Sequence, residues 1–176
     1  MMSSKLVASL KYYGISPWEL EVLYGLLNGM FSVEEHPDPQ QYEDYPTMLD
    51  IALPLAFNEA FFKWFGISRW SKVKGLLKEL KRRRGSGRTL RIFIRFFGSP
   101  NIIFIVDLLE NSWFNTAIDK IDFVLELLPF QLDPRKIPQN IIDVIYEFDE
   151  TTGKWNLHTE DSQHTYVFSQ NEWKLT

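Results

Sequence analysis

The stretch from Leu90 to Leu108 constrains the fold more than any other part of this chain. Leu90 to Phe97 alternates apolar and polar side chains, as a strand with one covered face does. Gly98-Ser99-Pro100-Asn101 then turns the chain, and "IIFIVDL" returns. That second run is continuously apolar, which is the pattern of a strand covered on both faces and therefore central in its sheet. A sheet with such a strand needs helices to pack on it, and the rest of the chain supplies candidates.

Ser16-Pro17-Trp18-Glu19 is a helix start: Ser caps, Pro suits the first turn, and Glu three residues after Ser closes a capping box. The helix is expected to run to about Met30, with Trp18, Val22, Leu26 and Met30 on one face. Residues 31–46 hold three prolines, five acids and no Lys or Arg, which reads as an acidic surface loop. A second helix is expected over about 48–65, apolar nearly all round and kinked at Pro54. A third is expected over 69–84, with Trp70, Val73, Leu77 and Leu80 on its buried face and Gly85 as terminator. Ser112 opens a fourth, with Phe114, Ala117, Ile118, Ile121 and Leu125 as its stripe, stopped by Pro129. From Ile141 onward alternation returns around the turn "ETTGK", which reads as a β-meander of four short strands.

The expected fold class is therefore α+β: three N-terminal helices, a β-hairpin, a fourth helix and a C-terminal β-meander, with helices packed on one face of a mainly antiparallel sheet. The length, 176 residues, suits one domain spanning 1–176, with 1–15 a flexible lead. The chain has no Cys, which excludes disulfides, thiolate metal sites and a Cys nucleophile. Its N-terminal stretch carries Lys5 and Lys11 among few apolar residues, too interrupted for a signal peptide. Its longest uncharged apolar run, Phe96 to Val106, is too short for a membrane span. The expectation is a soluble, cytoplasmic protein with no membrane partner.

The net charge of −4 hides two opposed poles. Between Arg69 and Arg95 eleven bases meet one acid, Glu79, for a local charge of +10. The remaining eight bases and twenty-two acids give −14. Lys72, Lys74, Lys78, Lys81, Arg82, Arg83, Arg84, Arg88, Arg91 and Arg95 are the candidate partner-binding residues. The helix would present a basic face about 24 Å long. Arg91, Phe93, Arg95 and Phe97 share a strand face that could extend it. An acidic protein, or a second copy of this chain, is the expected partner. Nucleic acid is the alternative, since Arg binds phosphate while bases stack on aromatics. Against both stands a structural reading: cations in a last helical turn complement the helix dipole, and the acidic remainder can neutralise them internally.

No catalytic signature emerges, and no cofactor or metal is implied. "RRGSGR" follows a helix rather than opening one, so it is a turn and not a phosphate loop. His158, Glu160, Asp161 and His164 match no metal-ligand spacing. Asp107 and Glu110 end the central strand and Asp119, Asp122 and Glu126 lie on the fourth helix; nuclease-type chemistry would want a paired second acid and a Lys at short spacing, but Asp107 is followed by "LLENS", with no Lys. A further alternative is a small-molecule or enzymatic site in an aromatic cavity between helices and sheet, lined by Trp64, Phe65, Trp70, Trp113, Phe114, Trp155 and Trp173. The competing expectation is that these rings fill the core.

Overall fold

A computed structural model describes residues 4–40 and 42–176. Among the described residues nine strands form one mixed sheet, in the order β2-β1-β3-β4-β5-β6-β7-β8-β9. In chain order the elements are β1 (Val7–Tyr13), α1 (Pro17–Asn28), β2 (Ser32–Pro37), β3 (Met48–Leu53), α2 (Glu59–Phe65) and α3 (Ile67–Arg84). There follow β4 (Arg91–Phe96), β5 (Asn101–Val106), α4 (Asn111–Asp119), a 3-10 turn (Asp122–Glu126) and the short α5 (Leu128–Gln131). The meander closes the chain as β6 (Asp143–Asp149), β7 (Lys154–Glu160), β8 (Thr165–Ser169) and β9 (Glu172–Leu175).

The α+β class holds, but the arrangement differs from the expected one because strands are interspersed among the helices. The flexible lead contains β1, whose Ala8 and Leu10 are fully buried; residues 1–3 of that lead lie outside the described residues. The acidic loop contains β2, an edge strand in which exposed Glu34 and Glu35 discourage pairing with another chain. The expected helix over 48–65 is β3, a bend at Pro54, and α2. Asn58 caps α2, its Oδ1 accepting the Phe61 N–H at 2.9 Å. The sheet is mixed: β1 and β2, β3 and β4, and β5 and β6 run parallel, each pair joined through helices, and the other five neighbours are antiparallel.

Helices cover one face. Leu23 and Leu27 of α1, Val73, Leu77 and Leu80 of α3, and Phe114, Ala117 and Ile118 of α4 share one core with Leu49, Ile51, Ile92, Ile94, Ile102 and Phe104. A chain of edge-on rings, from Phe62 through Phe57 and Phe104 to Trp155, fills the centre of this layer. The other face carries a smaller cluster: Tyr13, Met48, Phe93 and Ile103.

That second cluster exists because of strand order. β2 lies outside β1, so the link from β2 to β3 must cross β1. It crosses on the helix-free face as a strap. Tyr42 stacks near Phe93, with ring centroids 6.3 Å apart, and the Tyr13 hydroxyl donates to the Tyr45 carbonyl at 3.0 Å. The strap covers one end of this face. The other end is open.

Candidate functional site

The eleven bases do not form one surface. α3 packs on the core face of β4, whereas Arg91 and Arg95 project from the opposite face with Phe93. The strand thus does not extend the helix's basic face: the sheet lies between them.

On the helix-free face the bases act as anchors. Arg91 lies over the rings of Tyr42, Tyr45 and Phe93 at 4.8, 5.3 and 5.4 Å, and its Nε is 3.3 Å from Asp107 Oδ2. Arg88 reaches Asp44 of the strap at 3.0 Å. Both tie the acidic loop down. Arg95 Nε donates to Asp50 Oδ1 and Oδ2 at 2.9 and 3.1 Å.

At the end of α3, Lys81 is fully buried and cannot meet a partner. Its ammonium donates to the Gly87 carbonyl and the Thr89 hydroxyl at 2.9 and 3.1 Å and lies 5.8 Å from the Phe114 ring centre. It folds the GSG turn back onto the helix. Burial pushes its pKa below the usual lysine range. Arg84 is spent similarly: its Nη1 and Nη2 donate to Glu19 Oε2 and Oε1, both at 2.8 Å, and Nη2 also donates to the Gly14 carbonyl. The Arg84 guanidinium, with the Ser16 N–H, holds the buried Glu19 carboxyl at about 2, against 4.5 ordinarily. Glu19 thus serves both the capping box and a bond between α1 and α3.

Lys74 and Lys78 flank α4 and pair with Asp122 and Asp119. Asp122 also accepts the Trp70 indole N–H at 3.3 Å. These acids, candidates for catalysis by sequence, neutralise α3. Arg69 donates to the Phe65 carbonyl. Lys72, Arg82 and Arg83 face outward, Arg82 pairing with Glu79 one turn back at 2.7 Å. Arg83 lies 5.4 Å over the ring of Trp18, which is 57% exposed. The eight bases of α3, set against Glu79 and the acids that reach it, Glu19, Asp119 and Asp122, leave a surplus of +4.

The aromatic residues named from sequence divide. Phe65, Trp70, Phe114 and Trp155 are buried in the core. Trp113 and Trp173 pack at its margin, and Trp64 is half-exposed at its edge. The hollow bordered by Phe61, Phe65 and Trp70 measures about 10 Å³, too small for more than a single water. A larger apolar cleft of about 330 Å³ opens outside it, between Leu6, Leu55, Ala56, Phe61 and Trp64. In the β7–β8 turn, Asp161 Oδ1 accepts the backbone N–H groups of Gln163 and His164, so this carboxylate shapes the turn. Among the described residues no three His, Asp or Glu side chains converge as a metal site would require.

One site was not legible in sequence. On the open end of the helix-free face, Ser9, Lys11, Asp50, Ala52, Arg95, Phe97, Asn101 and Asp143 line a groove of about 530 Å³. Four of these lie in segments read as a flexible lead or a helix. The signal that could have found them is alternation: Asp50 sits between buried Leu49 and Ile51, and Ser9 between buried Ala8 and Leu10.

No family model, curated protein or solved structure matches this chain. Among the described residues no helix is long and apolar enough to cross a membrane.

Proposed function

We propose that this is a non-catalytic binding protein that engages an acidic segment of another protein through the outward face of α1 and α3. Trp18, Lys72, Arg82 and Arg83 carry the contact. The supporting observation is the exposed Trp18 with Arg83 stacked on it, at the edge of the helix that keeps a +4 surplus. Tryptophan and arginine dominate binding hot spots because they combine large contact area with directed polar groups. The surplus steers an acidic partner, and the indole supplies apolar contact area on arrival.

Lys74 and Lys78 are interrupted by Asp119 and Asp122, and Arg82 by Glu79. That interleaving suits a folded or peptide partner with spaced carboxylates better than a uniform phosphate backbone. Labelled poly-glutamate, single-stranded RNA and duplex DNA should be titrated by fluorescence anisotropy between about 50 and 200 mM salt. Poly-glutamate is expected to bind, more weakly as salt rises, and Trp18→Ala is expected to weaken it further. Tighter binding of RNA or DNA with a steep salt slope would overturn the acidic-protein reading in favour of nucleic acid. Absence of binding by all three at low salt would overturn the basic face altogether.

A further inference from the structure

We infer that the groove on the helix-free face is a binding site for a short zwitterionic peptide of about three residues. The site is separate from the α1–α3 face, on the other side of the sheet. Its hollow has a register cause: Ser9 and Ala52 pair across β1 and β3, and two small side chains leave a gap between Lys11, Arg95 and Phe97. At about 530 Å³ it falls within the size range of small-ligand sites.

The two ends of the hollow differ in net charge: Arg95 and Lys11 outnumber Asp50 at one, and Asp143 is the charged group at the other. Arg95 is held through Nε by Asp50, and its guanidinium lies 5.2 Å from the Phe93 ring centre. Among the described residues neither Nη donates to a partner, so both donors remain for a carboxylate in the fork geometry arginine favours. Lys11 adds a second cation on the same side. Across the groove, Asn101 is oriented twice: its Oδ1 accepts the Gly98 N–H at 3.0 Å, and its Nδ2 donates to Asp143 Oδ1 at 2.9 Å. Among the described residues Asp143 Oδ2 receives no hydrogen bond, which leaves it for an ammonium. Asp50 is committed to Arg95, so the two ends of the groove are cationic and anionic rather than uniformly mixed.

The separation selects the ligand's length. Arg95 and Asp143 stand on β4 and β6, two strand spacings apart across the sheet and two residues apart along it, which sets their backbones roughly 12 Å apart. An extended chain covers about 3.3–3.6 Å per residue, so three residues, with a hydrogen bond's reach at each end, place a terminal carboxylate and a terminal ammonium on the two ends. Exposed Phe97 and Ile142 flank the path and offer apolar contact to its side chains.

The test is a titration of isotope-labelled protein with trialanine, followed by amide chemical shifts. Shifts are expected at Ser9, Ala52, Phe97 and Asn101. Acetylating the peptide's amine or amidating its carboxylate is each expected to weaken binding by about tenfold. Asp143→Asn should weaken free trialanine but leave the acetylated peptide unaffected, a readout that a general loss of structure would not give. The inference is overturned if no groove resonance moves at millimolar peptide, if free and doubly capped trialanine bind alike, or if Asp143→Asn weakens both forms equally.

Discussion

Glu19 shows how a single side chain binds two elements. It closes the capping box of α1 and receives both Nη groups of Arg84, a residue 65 positions away. The capping box is written in Ser16-Pro17-Trp18-Glu19; the partner is not, because nothing local in sequence says which arginine of a run turns inward. The same holds for Lys81, which sits in a basic run yet is the most buried of its members. Glu19 titrates at about 2 in the folded protein and near 4.5 unfolded, so the unfolded state binds the proton first as pH falls. Its contribution is complete above about pH 5 and is lost between there and pH 2, at most about 3 kcal/mol for a shift of this size. Thermal melts of wild type and Glu19→Gln across that range should converge as pH drops. Curves that stay parallel from pH 7 to 2 would show that the pair contributes no acid-sensitive stability.

Among elements, the long helices, the hairpin and the meander are legible because their apolar periods are unambiguous. The 48–65 segment is not. Apolar on most positions, it carries only a short alternation around Asp50 to mark a strand, and the length of the run favours helix. Two residues decide it physically: Pro54 cannot donate within a continuing ladder or helix, and Asn58 starts a new helix by capping Phe61. Likewise β2 is acidic and ends at Pro37, features that suit an edge strand but read as loop. Asn58→Ala should cost about 1 kcal/mol in chemical denaturation, the usual value of an N-cap. An unchanged midpoint would mean that packing of Phe61, Phe62 and Phe65, not the cap, starts α2.

Across the whole molecule, the +10 and −14 poles of the sequence are largely one internal arrangement. Acids of α1, α4 and the 3-10 turn answer bases of α3, Asp107 and Asp50 answer Arg91 and Arg95 of β4, and Asp44 of the strap answers Arg88, while the sheet divides the remainder between two faces. Charge content was legible in sequence; which side of a sheet each charge faces was not, since that depends on topology. The central claim is that the outward α3 bases serve the acidic protein partner, while Arg88 and Arg91 hold the strap. Its most direct test is the affinity for poly-glutamate of two charge-reversed proteins with wild-type melting curves. Lys72→Glu combined with Arg82→Glu and Arg83→Glu should abolish binding, and Arg88→Glu should leave it within about twofold, less than 0.5 kcal/mol. Equal loss in both, or retention in the triple variant, would contradict the account.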